Sequence, residues 1–250
     1  MDITSRKNEK VLHLRKLGTS PEYRRERGEF LCDGAKLLAE AAAHGAEIRD
    51  VFVCGDVPPG IPEGARVYEV PREVLEAASP LKTPQDVLFS AALPKAEQGP
   101  VPAGSVILEN VQDPGNVGTM LRSANAFGAP AVVLTGACAD PWGPKAVRAS
   151  MGAVFRERIV ETDLAGLGAM KRGGVRLLGA ALGARSEDIR KADLSGAFIA
   201  IGNEGAGLSR ELLALCDGLV IIPMDPGCES LNAASAAAVI LWEMARRRNG

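Results

Sequence analysis

The sequence predicts an α/β fold whose second part is a mostly parallel sheet and whose first part is a smaller α/β unit. From Ser105 onwards, short apolar runs alternate with helical patterns, which is typical of a parallel sheet covered on both faces. Three of these runs end in loops of glycine and polar residues, at the strand ends where open α/β sheets bind ligands. A segment with three prolines and two glycines, 93–104, divides the two parts.

The first 92 residues contain the elements of a small domain. Residues 30–45 begin as a short strand and continue as a helix that ends at Gly45. Residues 50–54 and 67–70 have the apolar character of strands, and proline opens a helix over 71–78. We therefore predict a first domain over 1–92, a linker over 93–104 and a second domain over 105–250.

The second domain has five strand candidates of apolar character: 106–108, 131–134, 176–182, 198–201 and 219–222. A helix is predicted over 117–127, with Asn116 as its N-cap and Gly128 as its end. The final segment, 231–246, is apolar around almost its whole circumference. Because one domain rarely buries its last helix on all sides, this segment predicts a subunit interface.

The composition is that of a globular protein, with 46% hydrophobic residues, 24% charged residues and a formal net charge of −2. This charge neither indicates nor excludes a nucleic-acid partner. Residues 6–27 hold eight Lys and Arg against three Glu. They are either a binding surface or solvated helix faces, and the sequence favours neither reading.

The five cysteines form no C-x-x-C pair, and only two histidines are present, so no zinc site is predicted. Free thiols are typical of the reducing cytoplasm. The polar, charged start does not resemble a signal peptide, and no apolar run reaches the roughly 20 residues that span a bilayer. We therefore expect a cytoplasmic protein without a metal ion and without a membrane partner.

The three loops cover residues 110–122, 201–209 and 221–232. The second of them, 201–209, contains three glycines and is called the glycine loop. It is neither a P-loop nor a dinucleotide fingerprint. Its Glu204 would repel a phosphate, which favours a neutral or cationic ligand. Taken alone, Arg122 is a solvated surface residue, and Asn116 or Ser230 is a helix cap. Asn232, in the first turn of an apolar helix, needs a hydrogen-bond partner.

Together, these residues resemble the three motifs of the SpoU (TrmH-like) class of SPOUT methyltransferases over about 105–246. Asn116 with Arg122 resembles the first motif, 202–204 the second, and 222–224 with 230–232 the third. The resemblance implies a sheet whose carboxyl-terminal part is tied into a trefoil knot, in a homodimer formed through the last helix. It implies that the first 92 residues are a ribosomal-protein-like RNA-binding domain.

The resemblance also implies an activity, transfer of a methyl group from S-adenosylmethionine to a ribose 2′-hydroxyl in RNA. The residues that match the catalytic set are Arg122, Asn116, Glu204, Ser230 and Asn232, and those that match the cofactor-binding set are Gly202, Ile222 and Leu231. Arg122 either activates the hydroxyl as a base or orients the ribose and stabilises negative charge. The second role suits a guanidinium better, because it is effectively always protonated.

The front domain favours 23S-type ribosomal RNA as substrate over transfer RNA. The alternatives are a tRNA 2′-O-methyltransferase and a catalytically silent, ribosome-associated RNA-binding protein. The complete set of site residues argues against the silent protein. A nucleotide-dependent oxidoreductase is disfavoured because its glycine fingerprint is missing.

Overall fold

The computed structural model describes residues 2–95, 97–183, 186–225, 227 and 230–248. Pro226 and Cys228 of the third loop lie outside the described residues. Contacts divide the chain into two compact units. The first unit comprises Met1–Lys95 and Asp140–Arg156, and the second comprises Ala96–Ala139 and Glu157–Gly250.

Helices and strands alternate along most of the chain. In chain order they are α1 (Glu9–Thr19), α2 (Pro21–Arg27), β1 (Glu29–Asp33), α3 (Ala35–Ala43), β2 (Ile48–Val53), β3 (Arg66–Glu69), α4 (Arg72–Ala78), β4 (Val87–Ala92), β5 (Val106–Glu109), α5 (Pro114–Ala126), β6 (Val132–Thr135), α6 (Pro144–Ser150), β7 (Ile159–Glu161), α7 (Leu164–Arg172), β8 (Leu177–Ala180), β9 (Ser186–Asp188), β10 (Phe198–Ile201), α8 (Arg210–Leu215), β11 (Gly218–Ile221) and α9 (Ala233–Arg248). A single 3₁₀ turn, Ala153–Phe155, follows α6.

The first unit is built on a four-stranded sheet in the order β1-β4-β2-β3. The β1–β4 and β4–β2 pairs are antiparallel, whereas β2 and β3 are parallel. Helices α1 and α4 pack together over this sheet, and their buried side chains share one core with Leu31, Phe52 and Leu88. The predicted strands and helices of this region are present, and β4 is an additional strand.

Residues 140–156 belong to the first unit because they pack against its first strand. The Phe30 ring contacts the Trp142 ring, with centroids 5.1 Å apart, and the Phe155 ring at 5.8 Å. Arg24, which is only 4% exposed, binds Asp140 through a salt bridge of 2.5 Å. A buried charge needs such a partner, so this ion pair holds the start of the segment in place.

The second unit contains a seven-stranded sheet in the order β7-β6-β5-β10-β8-β11-β9. Every pair in it is parallel. One face is covered by α5 and α9, and the opposite face by α7 and α8. Alternate residues of β5 enter the two cores, since Val106 and Leu108 face one and Ile107 the other.

The predicted α/β fold with a mostly parallel sheet is confirmed. All five predicted strands are present, as β5, β6, β8, β10 and β11. The edge strands β7 and β9 were not predicted, because each has only three residues and β9 is the polar sequence Ser186–Asp188. No helix in the described part of the chain has the length and apolarity needed to cross a bilayer.

Candidate functional site

The carboxyl ends of β5, β10 and β11 lie at the same edge of the second sheet, because all of its strands are parallel. Strands β5 and β10 are direct neighbours, and β8 separates β10 from β11. The three loops identified in the sequence follow these three strands. The topology therefore brings together segments that are about a hundred residues apart.

The first loop ends where α5 begins, at Pro114. The prediction that Asn116 is the N-cap is wrong, because Asp113 Oδ1 accepts the hydrogen bond from the Asn116 N–H at 2.9 Å. Asp113 is the better cap because Pro114 then occupies the first helical turn, where a missing N–H costs nothing. Asn116 lies inside the first turn, and its amide is available for contacts outside the helix.

A short hydrogen-bond chain links the three loops through the side chain of Asn116. The Asn116 Nδ2 donates to Glu204 Oε1 at 2.5 Å. The Asn116 Oδ1 accepts from Asn232 Nδ2 at 3.4 Å, a long and therefore weaker bond. Each loop thus contributes one polar side chain to a single network.

Asn232, rather than Ser230, caps the last helix. Its Oδ1 accepts from the Ala234 N–H at 2.9 Å and from the Ser235 N–H at 3.3 Å. The reading of Ser230 as a cap is therefore wrong, because the helix begins at Ala233. The partner that Asn232 was expected to need is supplied by its own helix and by Asn116.

The second loop folds on itself as a tight turn between Asn203 and Gly207. The two residues exchange main-chain hydrogen bonds of 3.0 Å in both directions. The Asn203 side chain accepts from the Gly205 and Ala206 N–H groups, and it donates to the Asn110 carbonyl at 3.0 Å. Asn203 was not proposed as a site residue, although an asparagine beside glycines is typical turn chemistry.

Glu109 and Ser209, which the sequence analysis also did not identify, anchor the end of this loop to β5. Glu109 is 2% exposed, and its two carboxylate oxygens accept from the Ser209 N–H at 2.7 Å and the Ser209 hydroxyl at 2.5 Å. The Ser209 Oγ also accepts from the Leu212 N–H and caps α8. This arrangement fixes where the glycine loop ends.

Replacement of Ser209 by alanine is expected to lower the free energy of unfolding by about 2 kcal/mol or more, because the buried Glu109 loses a donor and α8 loses its cap. The measurement is urea unfolding of the whole chain. Asp163→Ala is the matched control, since Asp163 only caps α7, where it accepts from the Gly166 N–H. Equal losses for the two variants would contradict a separate contribution from Glu109.

A cavity of about 390 Å³ opens beside the network. Its lining includes apolar side chains from the sheet and the last helix, together with polar residues from the second and third loops. The lining residues include Ile189, Glu204, Ile222, Ser230, Leu231 and Ile240. Four of the eight predicted site residues, Glu204, Ile222, Ser230 and Leu231, therefore line one cavity.

Gly202 does not line this cavity but precedes the turn that does. A Cβ atom at Gly202 would lie 2.2 Å from the Gly207 carbonyl carbon and 2.5 Å from the Leu208 nitrogen. The close approach of the two main chains explains why glycine is needed here.

Among the five predicted catalytic residues, Arg122 is the one that is joined neither to the network nor to the cavity. It is exposed on α5, and within the described residues it forms no hydrogen bond or ion pair. Its guanidinium therefore has no structural duty in the described part of the second unit.

Two family profiles match the chain. The SpoU rRNA Methylase family matches residues 104–242, and the MRM3-like substrate binding domain matches residues 8–88. The first match covers the cavity and all three loops. The second match lies within the first unit.

Individual relatives are similar over nearly the whole chain. The 23S rRNA (guanosine(2553)-2′-O)-methyltransferase RlmP of Bacillus subtilis is 33% identical over 97% of this chain and 98% of its own. The crystal structure of an rRNA methyltransferase from Sinorhizobium meliloti is 30% identical, with a TM-score of 0.86 over 99% of this chain and 98% of that one.

The SpoU methyltransferase AviRb from Streptomyces viridochromogenes, solved in complex with the cofactor AdoMet, is 28% identical. Its TM-score is 0.82, over 97% of this chain and 99% of that one. The resemblance of the three loop motifs is thus confirmed by profile, sequence and fold. The chain belongs to the SpoU rRNA methylase family.

Proposed function

We propose that the protein is an S-adenosylmethionine-dependent RNA ribose 2′-O-methyltransferase that acts on 23S-type ribosomal RNA. The observation that carries this proposal is the cavity beside the Asn116–Glu204–Asn232 network, at the end of the parallel strands. RlmP, a 23S rRNA 2′-O-methyltransferase, and AviRb, solved in complex with AdoMet, support it through their similarity over nearly the whole chain.

The cavity suits S-adenosylmethionine in size and character. Its volume of about 390 Å³ lies in the range of small-molecule sites, which is roughly 300–1,000 Å³. Apolar side chains such as Ile222 and Leu231 suit the adenosyl part. The main-chain N–H groups of Gly202, Ile222 and Leu231 donate no hydrogen bond within the described part of the chain, and so remain available to a ligand.

S-adenosylmethionine, when bound, supplies a methyl group carried on a positively charged sulfonium sulfur. The Glu204 carboxylate at the cavity is attractive to such a cation, which resolves the difficulty that it posed for phosphate. Asn116 holds this carboxylate by donating to Oε1, while Asn232 ties Asn116 to the last helix. These residues orient one another, and orientation is a large share of the available rate gain.

Arg122 orients the ribose and stabilises the negative charge that develops on the hydroxyl oxygen as its proton leaves. A guanidinium remains protonated under ordinary conditions, so it acts as a donor and a charge rather than as a base. Its exposure and its lack of partners in the described region leave it available to a bound RNA. Ser230, at the cavity, is proposed to assist in holding the ribose.

We propose that residues 1–92 bind the RNA and that residues 105–250 transfer the methyl group. Residues 93–104 are the linker between them. The substrate-binding profile over residues 8–88 supports the first assignment. Ribosomal RNA is favoured over transfer RNA because RlmP, which is similar along both parts, bears a 23S rRNA activity. The free thiols of Cys32, Cys54, Cys138 and Cys216 suit a cytoplasmic site of action.

The activity is tested with tritiated S-adenosylmethionine and unmodified 23S-type ribosomal RNA or transfer RNA. We expect label in alkali-resistant dinucleotides from the ribosomal RNA, because a 2′-O-methyl group blocks cleavage at that linkage. Label in transfer RNA alone would reassign the substrate. Absence of label, together with absence of cofactor binding by calorimetry, would favour the silent RNA-binding protein.

We further propose that the carboxyl-terminal part of the second unit is knotted. Support comes from β10, which follows β8 in the chain yet lies between β5 and β8, and from the return of the third loop to Asn116. A crystal structure whose chain can be pulled straight from its two ends would contradict the knot.

Homodimerisation through α9 is the remaining part of the proposal. Ser235, Val239, Trp242 and Arg246 follow one another at helical spacing, and all four are exposed. Trp242 is 52% exposed and Val239 39%, which is unusual for large apolar side chains on a helix that also fills a core. Such a face is typical of a surface that a second subunit covers.

Replacement of Trp242 by aspartate is expected to raise the dimer dissociation constant by about 30-fold or more, because a central tryptophan contributes about 2 kcal/mol to an interface. Sedimentation equilibrium measures this constant. Val57→Asp, at a first-unit side chain that is 48% exposed, is the matched control and should leave the dimer intact. A monomeric wild-type protein at micromolar concentration would contradict the interface.

A further inference from the structure

The first unit carries a cavity of its own, with a volume of about 470 Å³. One side is formed by a face of α1 that bears His13 and Lys16, and another by Tyr23 and Arg27 of α2. Two buried carboxylates, Glu29 and Asp50, form part of the lining. The charges around these groups decide what the cavity can bind.

The Glu29 carboxylate is held by two partners. Its Oε1 accepts from Arg49 at 2.5 Å, and its Oε2 lies 3.0 Å from His13 Nε2. Burial raises the pKa of Glu29, but the hydrogen bonds from His13 and Arg49 outweigh burial and lower the pKa to about 2. This carboxylate is therefore charged and already engaged.

The negative charge of Asp50 is likewise compensated by two ion pairs. Lys10 Nζ lies 2.9 Å from one carboxylate oxygen, and Arg66 Nε lies 2.6 Å from the other. Asp50 is 1% exposed, so its charge is matched by these two cations. Neither buried acid is left to repel an anionic ligand.

Lys16 and Arg27 differ from these cations because neither pairs with a carboxylate in the described part of the chain. Both are exposed, and both lie near the Tyr23 ring, at 5.5 Å and 5.2 Å from its centroid. Glu9, the remaining acid of the lining, is exposed in the first turn of α1. Two unpaired positive charges therefore flank one aromatic ring.

Tyr23 is fixed in position by its hydroxyl, which lies 3.0 Å from His13 Nδ1. The His13 ring is in turn held by Glu29 on its other nitrogen. Leu12, which is 42% exposed, adds an apolar surface to the same cavity. Arg27 also contacts Tyr23 through a side-chain hydrogen bond. A fixed aromatic ring, an apolar neighbour and cations without a carboxylate partner are the groups with which proteins bind unpaired nucleic-acid strands.

The basic stretch over residues 6–27 is thus divided between two duties. Lys10 and Arg24 form internal salt bridges with Asp50 and Asp140 and help to hold the unit together. Lys16 and Arg27 form no salt bridge with a carboxylate among the described residues, and both line the cavity.

We propose that the cavity bordered by Leu12, Lys16, Tyr23 and Arg27 binds an unpaired segment of the RNA substrate. Lys16 and Arg27 contact its phosphates, and one base packs against Tyr23 and Leu12. The inference rests on the proposed function, since it names the surface through which the first unit holds that RNA.

The test uses the full chain with two substitutions, Lys16→Ala and Arg27→Ala, which together define the cavity variant. A labelled oligouridylate is the probe. Fluorescence anisotropy is expected to show an affinity about tenfold lower at about 0.1 M salt, because two phosphate contacts are lost. The slope of log affinity against log salt should fall by about 1.4, since each single-strand contact contributes about 0.7. Tyr23→Leu, which keeps apolar bulk, should weaken binding about tenfold with little change in slope.

The matched control carries Lys82→Ala and Lys95→Ala, which remove two exposed positive charges of the first unit outside the cavity. This control should bind like the wild type. If the cavity variant also binds oligouridylate like the wild type, the RNA site is overturned. Polyglutamate serves as an acidic peptide for comparison, and a loss of affinity for this peptide alone would overturn the RNA site as well. An affinity loss equal to that of the control would also overturn it, because the effect would then be one of net charge.

Calorimetry with S-adenosylmethionine and the methylation assay separate this inference from the proposed function. Lys16 and Arg27 belong to the first unit, so the cavity variant should bind the cofactor like the wild type. A wild-type chain that binds oligouridylate through the cavity but neither binds cofactor nor methylates RNA would contradict the proposed function alone. If the wild-type chain methylates RNA and the cavity variant binds oligouridylate as tightly as the wild type, this site alone would be contradicted.

Discussion

The Arg122→Ala variant is expected to transfer methyl groups about 100- to 1,000-fold more slowly than the wild type, which is the usual cost of removing a group that stabilises charge in the transition state. Its affinity for S-adenosylmethionine should be unchanged, because Arg122 does not line the cavity. Its free energy of unfolding should change by less than about 0.5 kcal/mol, since the side chain is exposed and has no partner in the described region. Single-turnover methylation measures the rate.

Two variants sharpen this experiment. Arg172→Ala removes an exposed arginine of α7 from the same unit and should leave the rate unchanged. Arg122→Lys keeps the charge but loses the planar fork, so a partial rate is expected, with the same dependence on pH as the wild type. A lysine variant whose pH profile shifts strongly would instead favour Arg122 as the base. A near-normal rate for Arg122→Ala would contradict both roles.

The second large effect is expected for Gly202→Ala, which should lower the affinity for S-adenosylmethionine more than about 100-fold. The added Cβ would lie 2.2 Å from the Gly207 carbonyl carbon, and real side chains do not tolerate that distance. The contact is with main chain, so the turn between Asn203 and Gly207 must open, and this turn lines the cavity. A loss of this size corresponds to about 3 kcal/mol, within the range of strain and lost contacts.

Gly205→Ala is the matched control for this variant. Gly205 lies in the same turn and also lines the cavity, but within the protein a Cβ there would meet only Asn203 Oδ1, at 3.6 Å, an ordinary contact that lets the turn stay closed. Calorimetry should therefore find a much smaller loss of cofactor affinity for Gly205→Ala than for Gly202→Ala. Equal losses of cofactor affinity for the two glycine variants would show that the loop tolerates no side chain at all. The close contact at Gly202 would then have no special effect. A Gly202→Ala protein with normal affinity would contradict the assignment of this cavity.

Much of the second unit could be predicted because its signal is local. Short apolar strands such as 198–201 alternate with helical patterns, and burial on both faces of a parallel sheet requires this composition. The loops after β5, β10 and β11 could be predicted for a related reason, since glycine and polar residues after a buried strand mark a turn, and the carboxyl ends of parallel strands are where such sheets bind ligands. The positions of Glu204, Ile222 and Leu231 at one cavity follow from that topology.

The helix caps could not be decided in the same way, because several residues near each helix start are suitable. Asp113 and Asn116 are both good caps, and only the observed start of α5 at Pro114 distinguishes them. The choice matters for function, because the residue that does not cap is free to join the network. Asn116 therefore binds Glu204 rather than its own helix.

By itself, the sequence determined the α/β class, the parallel sheet of the second unit and the three loops, because hydrophobic periodicity and turn chemistry record how each short segment is buried. The tertiary structure alone decided the rest. It assigned residues 140–156 to the first unit, joined Glu109 to Ser209, and distinguished Lys10, which pairs with Asp50, from Lys16, which pairs with no carboxylate among the residues described. The physical reason is that ion pairs and hydrogen bonds act over a few ångströms between distant segments, and no local pattern of residues encodes which of them will meet.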